Sequence, residues 1–364
     1  MDAVDDSRLL RGRGRYLDDR DPEGVLYLAV LRAPMAHARI TGLDVAAARA
    51  RDDVHAVLTA AELDAAGIGP LACRAPVTGS DGRAMVEPPR PVLARDVVKH
   101  VGQPIAAVVA ATPAAATEAV ETIALDLEPR PAVVDVEAAI ADTAPQLWDE
   151  AAGNTSFVWE KGNTEVVAGA FARAAHIVEL TVRHPRVAVA PLEPRAAIGA
   201  FDAEAGSFTL WTPSQGVVSL RAAMAECLDV APAAMRVVTD DVGGSFAVKI
   251  WPYPEQVLVL AAARAVGRPV KWVASRTESF VADVPGRARV DRAALALDAR
   301  GRFLAFRVDA LADMGAFLNA VAPSIVTTGA VRVFGHTYRI PGLHYRVRAV
   351  FTNTTPTDAY RGAG

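Results

Sequence analysis

Short apolar runs alternate with polar stretches along the first part of the chain, a pattern typical of strands interleaved with helices. Residues 25–31 and 101–110 are apolar runs of strand length, and both predict buried strands. Residues 112–123 begin with Thr-Pro, the order favoured at a helix start, and predict a helix. Thr59 and Glu62 have the spacing of a capping box, which predicts the start of another helix.

The rest of this first unit is predicted to contain one long loop and two more strands. Residues 68–92 are rich in Gly and Pro and lack periodicity, which predicts a surface loop. Strands are predicted at 124–127 and 132–135, and they complete a mixed α/β domain over residues 1–142. Residues 143–165 carry scattered turn formers without a sustained pattern, so they are predicted to connect two domains.

The second unit, residues 166–364, again alternates strand-like and helix-like segments. Strands are predicted at 176–182, 196–201, 208–211, 235–239 and 269–274, and helices at 216–228 and 254–267. Pro254 fits the first turn of the second helix and Gly267 fits its end. The last hundred residues are predicted to alternate short strands with turns. Together the two units predict an α+β protein.

Composition narrows the class of protein. Hydrophobic residues make up 52% and charged residues 22% of the chain, close to the averages of globular proteins, so neither disorder nor a fibrous architecture is indicated. The net charge is only -4 and no basic stripe is present, so nucleic-acid binding is not predicted. No apolar run reaches the roughly 18 residues of a membrane span. Two cysteines and an acidic start without the order of a signal peptide favour a cytoplasmic location.

A paired-glycine loop at residues 240–249 follows the predicted strand at 235–239. Gly243 and Gly244 allow backbone amides to approach a bulky or anionic group, because no Cβ intervenes and a positive φ is accessible. The loop lacks the G-x-G-x-x-G spacing of a dinucleotide fold, and no P-loop motif occurs in the chain. A tight strand-to-helix turn and a ligand cradle both remain open on spacing alone.

Other candidate sites are weaker. Ser245 fails the G-x-S-x-G motif of a serine hydrolase at its last position, and no histidine pair has the spacing of a zinc site. Glu193 and Arg195 lie in a proline-flanked segment, either as groups fixed on a rigid bend or as an ordinary surface ion pair. Arg361 lies beside an aromatic and small residues, where it either presents a guanidinium to an anion or belongs to a frayed terminus.

Seven collinear segments together resemble the molybdopterin-binding large subunit of the xanthine dehydrogenase, aldehyde oxidase and carbon monoxide dehydrogenase family. The resemblance spans almost the whole chain. The segments are GRGRYLDD at 12–19, RAPMAHARI at 32–40, VGQP at 101–104, PLEPR at 191–195, GGSF at 243–246, RPVKW at 268–272 and AYRGAG at 359–364.

The resemblance implies an N-terminal α/β-hammerhead domain followed by the first part of a molybdenum-cofactor-binding domain. It implies that the cofactor is molybdopterin, as its cytosine dinucleotide. The glycine loop, Gly243, Gly244, Ser245, Phe246 and Ala247, would then line the cofactor. The glutamine at position 215 would hydrogen-bond an oxygen ligand of the metal, and Arg361 would border the substrate. Gln215 and Arg361 are accordingly the predicted catalytic residues, and no side chain is predicted to bind the metal.

The implied chemistry is hydroxylation of an aldehyde or an N-heterocycle with water as the oxygen source. Electrons would pass to partner subunits that carry 2Fe-2S clusters and FAD. Ala247 stands where the family has glycine, which predicts a strained backbone. Ile250 replaces a glutamate of xanthine-oxidising members, and Gly362 replaces the copper-binding cysteine of carbon monoxide dehydrogenases, so neither purine recognition by that glutamate nor a copper bridge is expected.

Members of the family continue well beyond the AYRG segment, and the later part carries further cofactor contacts and a glutamate base. The remaining half of the large subunit is therefore an expected partner, together with a small-molecule substrate, and the chain alone is expected to be inactive. The alternative is a non-catalytic binding or assembly module that retains the fold without metal.

Overall fold

The computed structural model describes residues 8–362, in which fifteen strands form sheets of seven, five and three strands. The strands are β1 Leu26–Arg32, β2 Ala38–Asp44, β3 Val54–Leu58, β4 Val97–Val98, β5 Pro104–Ala110, β6 Ala124–Pro129, β7 Thr155–Gly162, β8 His176–Val187, β9 Ala196–Asp202, β10 Ser207–Trp211, β11 Met235–Val238, β12 Val270–Val273, β13 Gly286–Leu297, β14 Phe303–Gly315 and β15 Gly342–Phe351.

Helices lie between the strands and cover their faces. They are α1 Ala46–Arg49, α2 Ala60–Ala65, α3 Pro113–Glu121, α4 Val136–Ala139, α5 Thr164–Ala172, α6 Val217–Cys227, α7 Pro254–Val266, α8 Arg276–Ala282, α9 Ala322–Ser324 and α10 Ala330–Arg332. A π-helical turn, Ile325–Gly329, joins α9 to α10. The mixture of helices and sheets agrees with the predicted α+β class. No helix among residues 8–362 has the length and apolar character needed to cross a membrane.

Local capping signals in the sequence agree with the helix boundaries. Thr59 accepts from the amide of Ala61, and Glu62 completes the capping box of α2. Thr112 accepts from the amide of Ala115 at the start of α3, and Gly267 ends α7 with a φ of 65°. These predictions are confirmed. They could be made from the sequence because each cap depends on contacts between near neighbours in the chain.

The seven-stranded sheet has the order β11-β10-β9-β12-β1-β5-β3 and contains the largest core. Helix α7 packs across it, and residues 254–263 of this helix are all buried. Strand β1 pairs in parallel with β12, so the first and second predicted domains contribute strands to one continuous sheet. The domain boundary predicted near residue 142 therefore remains a proposal. The largest hydrophobic core contains residues from both sides of it.

The five-stranded sheet has the order β7-β15-β14-β13-β8. Strands β13, β14 and β15 contain 12, 13 and 10 residues, so the prediction of short strands in this region is wrong. Strand β7 lies inside the segment 143–165 that was predicted to be a connection, and it pairs with β15. The predicted strand at 132–135 is also absent, because this segment leads directly into α4 instead of pairing with β6.

The strand arrangement places the candidate loops together. Strands β10 and β11 are parallel neighbours, with Trp211 opposite Val238. Their carboxyl ends therefore open at the same edge, so Gln215 after β10 and the glycine loop after β11 emerge side by side. The structure does not describe residues 1–7, which include the acidic start, or residues 363–364 of the AYRGAG segment.

Candidate functional site

Two glycines shape the loop that follows β11. The amide of Gly243 donates to Glu193 Oε2 at 2.8 Å, and a Cβ at Gly243 would lie 2.5 Å from the Cβ of Glu193. Gly244 has a φ of 97°, a conformation that residues with a side chain rarely adopt. Gly243 is thus required by close packing and Gly244 by its backbone conformation.

Three consecutive amide groups in this loop lack an acceptor within residues 8–362: those of Gly244, Ser245 and Phe246. The loop is half buried up to Ser245, and positive φ values at Gly244 and Phe246 give it a curved backbone. Neighbouring amides in such a curve form a concavity that binds anions or electron-rich oxygens. The arrangement can therefore hold an oxygen-bearing ligand without help from a charged side chain.

The loop also determines the orientation of the Gln215 side chain. Gln215 Oε1 accepts from the amide of Ala247 at 3.1 Å, and the amide of Gln215 donates to the carbonyl oxygen of Lys249 at 3.1 Å. Because Oε1 faces Ala247, Nε2 is the atom left to donate to a ligand. Gln215 is exposed, so this donor is accessible beside the concavity of the loop.

The second half of the loop is buried and strained. Ala247 has a φ of 86° and is only 8% exposed, and its methyl group packs in a cluster that includes Val248 and Trp251. The strain predicted for alanine at this position is present in the structure. Ser245 Oγ accepts from the amide of Lys249 at 3.2 Å and closes the turn. No histidine contacts Ser245 within the described residues, so the serine hydrolase alternative has no base.

Arg361 lies directly against this loop. Its amide donates to the carbonyl oxygen of Phe246 at 3.2 Å, and its guanidinium carbon lies 5.6 Å from the centroid of the Phe246 ring. Phe246 is 44% exposed, and Arg361 is also exposed. The structure thus brings together Gln215, the glycine loop and Arg361, which are far apart in sequence.

The proline-flanked segment at 191–195 does not contain an internal ion pair. Arg195 is buried, and it donates to Glu255 at 2.8 Å and to Asp283 at 2.6 Å while its guanidinium lies over the ring of Tyr253. Glu193 instead binds the glycine loop. The surface ion pair considered for Glu193 and Arg195 is therefore wrong, and the prolines direct the two side chains to different partners.

Asp358, immediately before the AYRG segment, is a buried group that the sequence pattern did not single out. It accepts from the amides of Ala359 at 2.7 Å and Val321 at 3.1 Å and from Asn319 Nδ2 at 3.0 Å. Burial raises the pKa of Asp358 to about 6, and the hydrogen bonds oppose this effect. No local motif marks this residue, because two of its partners, Asn319 and Val321, lie in the loop before α9 and are distant in sequence.

A cavity of about 550 Å³ opens beside the AYRG segment. Phe306, Phe334 and Tyr360 provide aromatic surface, and Asp358 is among the residues that line it. Within residues 8–362 no group of three or more His, Cys, Asp or Glu side chains is arranged to hold a metal ion. His184, Arg287, Arg289 and Asp291 line the same cavity, so it presents charged as well as aromatic surface.

Comparisons with known proteins identify relatives over the whole chain. The family model "Molybdopterin cofactor-binding domain" matches residues 147–364, and "Aldehyde oxidase and xanthine dehydrogenase, a/b hammerhead domain" matches residues 11–131. The carbon monoxide dehydrogenase large chain of Hydrogenophaga pseudoflava is 33% identical, over 99% of this chain and 45% of its own length. The nicotine 6-hydroxylase large subunit of Paenarthrobacter nicotinovorans is also 33% identical, over 99% of this chain and 44% of its own length.

Solved structures agree with this result. The crystal structure of quinoline 2-oxidoreductase from Pseudomonas putida 86 superimposes with a TM-score of 0.90 at 33% identity, covering 99% of this chain and 45% of that one. The chain thus spans slightly less than half the length of these relatives. The matched half includes the glycine loop, Gln215 and the AYRG segment.

Proposed function

Because the chain belongs to the family of molybdopterin cofactor-binding large subunits that includes aldehyde oxidase and xanthine dehydrogenase, we propose that it forms the first half of the active site of a molybdenum hydroxylase. Family membership and the order of domains, a hammerhead followed by a cofactor-binding domain, are as the sequence predicted. The reaction, the bound cofactor and the partners belong to the proposal.

The row of free amides at Gly244, Ser245 and Phe246 carries the proposal. Amide groups that are not paired within a protein require water or a ligand, and here they line a curved loop beside the free donor of Gln215. A pterin cofactor with oxygen ligands on its metal offers acceptors that match these donors. The residues present therefore fit a molybdopterin group.

When bound, the cofactor would supply the two-electron redox chemistry that inserts an oxygen atom from water into a C–H bond and releases two electrons and two protons. The chain would hold and orient it. The loop amides and Gln215 Nε2 would donate hydrogen bonds to oxygen atoms, and such preorganised donors stabilise charge that develops during reaction. Arg361 and the aromatic cavity would orient the substrate and exclude water from one side.

The substrate class we propose is an aldehyde or an N-heterocycle. Two relatives are named for nicotine and quinoline, which are N-heterocycles. Ile250 provides no carboxylate for purine recognition, and Gly362 provides no thiolate for copper. Aromatic surface from Phe306, Phe334 and Tyr360 would stack a planar ring.

The proposed partners are the part of the large subunit that these relatives contain beyond the matched region, an iron–sulfur subunit and an FAD subunit. The cofactor would be the cytosine dinucleotide form, and the complex would be cytoplasmic. Without the complementary half, the loop and Arg361 would form only one wall of the site, so we expect no activity from the chain alone.

Elemental analysis tests the proposal directly. The chain would be purified after co-expression with its complementary half and redox partners, and the expected result is about one molybdenum per chain, with cytidine monophosphate released by acid. The alternative is a binding or assembly module without metal. An assembled complex that contains neither molybdenum nor cytidine nucleotide would contradict the enzyme and support that alternative.

A further inference from the structure

We propose that Glu193 and Lys249 form a buried clamp that holds both ends of the glycine loop and thereby positions Gln215. This inference deepens the proposed function and rests on it. The two side chains bond to each other, and that of Glu193 also to Gly243, but neither bonds to the free amides of the concavity, so both are positioning residues and not catalytic ones. The clamp is visible only in the folded protein, because its members come from separate segments of the second unit.

Glu193 holds the first end of the loop through two hydrogen bonds. Its Oε2 accepts from the amide of Gly243 at 2.8 Å, and its own amide donates to the carbonyl oxygen of Gly243 at 3.1 Å. The close approach of the two residues also excludes any side chain at Gly243. Backbone and carboxylate together thus leave Gly243 little freedom to move relative to Glu193.

The same carboxylate oxygen holds the other end. Lys249 Nζ donates to Glu193 Oε2 at 2.7 Å, and the Lys249 side chain is fully buried. The carbonyl oxygen of Lys249 then accepts from the amide of Gln215, and Ala247 binds Gln215 Oε1. A displacement of Lys249 would therefore move both contacts that orient Gln215.

The charge on Glu193 is needed because Lys249 has no solvent to stabilise its ammonium group. Burial lowers the pKa of Lys249, and the adjacent Glu193 carboxylate opposes that effect. The nearby Asp283 acts in the same direction as Glu193, whereas Arg276 opposes both. Loss of the Glu193 charge would leave a buried, unpaired cation at the end of the loop.

The segment that carries Glu193 is held in place by residues outside the glycine loop. Arg276 Nη2 donates to the carbonyl oxygens of Pro191 at 2.7 Å and Leu192 at 2.9 Å. The amide of Leu17, near the N-terminus, approaches Glu193 Oε1 at 3.5 Å. These contacts restrict the position of Glu193, and Glu193 in turn restricts the position of the loop.

The test uses the complex assembled with the complementary half and redox partners. In Glu193→Gln the side chain keeps its size but loses its charge. We expect faster hydrogen exchange at residues 243–249, an altered Mo(V) electron paramagnetic resonance signal, and kcat lowered by about 10- to 100-fold with little change in KM, the range found when groups that support a metal site are removed.

A second variant separates positioning from stability. The double variant Glu193→Gln with Lys249→Met removes the unpaired charge, so we expect thermal stability to recover while the loop exchange and the altered spectrum persist. Asp313→Asn is the matched control, because Asp313, like Glu193, binds one cation and one backbone amide. It accepts from the partly buried Arg186 at 2.7 Å and from the amide of Gly315. This variant should lower stability and leave the spectrum and the loop exchange unchanged.

Two results would overturn the clamp. In one, Glu193→Gln lowers the melting temperature but leaves exchange at residues 243–249 as in the wild type. In the other, the double variant restores the spectrum together with stability, which would make the pair purely structural. If the wild-type complex contains no molybdenum, the proposed function fails, while the exchange measurement still decides whether Glu193 and Lys249 hold the loop.

Discussion

The amide of Arg361 donates to the carbonyl oxygen of Phe246 at 3.2 Å, and the Arg361 guanidinium lies 5.6 Å from the centroid of the Phe246 ring. The residues have φ values of 20° and 48°, so both contacts depend on unusual backbone conformations. This pair joins the AYRG segment to the glycine loop. Through it, the substrate side and the cofactor side of the proposed site share one structural unit.

The side-chain part of this contact can be measured by a double-mutant cycle. Phe246→Leu keeps an apolar side chain without a ring, and Arg361→Met keeps an unbranched side chain without a charge. We expect a coupling free energy of about 0.5–1 kcal/mol, the range for exposed cation–π pairs. Urea unfolding of the four proteins gives the coupling, and a value of zero would show that the ring and the guanidinium lie together without mutual stabilisation.

Because the backbone at Ala247 is strained, its replacement by glycine should lower the free energy of unfolding less than is usual for a buried alanine. Ala247→Gly loses a buried methyl group, worth about 0.8 kcal/mol, but relieves a φ of 86° in an alanine. Ala262→Gly in α7 is the control, because Ala262 is also buried and has helical geometry. We expect Ala247→Gly to cost at least about 1 kcal/mol less than the control. Equal costs in urea unfolding would contradict the strain.

Asp358 should make stability fall as pH rises from about 4 to about 6. Its folded pKa of about 6 lies above the ordinary aspartate value of 3.8, so the folded protein binds a proton in this range that the unfolded chain releases. The stabilising contribution is therefore complete below about pH 4 and lost above pH 6. Its size is roughly 2–3 kcal/mol at 1.36 kcal/mol per pKa unit.

Asp358→Asn isolates this effect, because asparagine does not titrate. The free energy of unfolding of the wild type minus that of the variant should decrease between pH 4 and pH 6. Asp298→Asn is the control of opposite sign, since hydrogen bonds from Arg302 lower the pKa of the partly exposed Asp298. For that pair the difference should increase with pH. A pH-independent difference for Asp358→Asn would mean that its carboxyl group titrates normally.

Gln215→Glu tests the donor role of this side chain. Glutamate can still accept from the amide of Ala247, but an ionised carboxylate cannot donate to a ligand. In the assembled complex we expect kcat to fall by about 100-fold or more, the effect of removing one preorganised donor. Hydrogen exchange at residues 243–249 should stay unchanged.

The control for this substitution is Gln146→Glu, at an exposed glutamine outside the loop whose Nε2, unlike that of Gln215, donates to the backbone. It should leave kcat within about twofold of the wild type, because surface changes away from functional groups have small effects. A Gln215→Glu variant with normal kcat would exclude Gln215 as a required donor.

The sequence by itself determined the features that depend on near neighbours. Thr59 with Glu62, Thr112 with Pro113, and Gly267 predicted helix ends that the structure contains, because a cap needs only residues within one helical turn. The paired glycines likewise marked the loop. The collinear motifs then indicated the family, which no single segment could do.

Tertiary structure alone decided what those local elements assemble into. The parallel pairing of β1 with β12 joins the two sequence units in one sheet, and the burial of Asp358 and the clamp of Glu193 with Lys249 join distant segments. Local patterns report propensity and periodicity, whereas strand partners and buried charges depend on which surfaces meet after collapse. For that reason the glycine loop and Glu193 were recognisable from sequence, but the contacts that hold the loop in place were not.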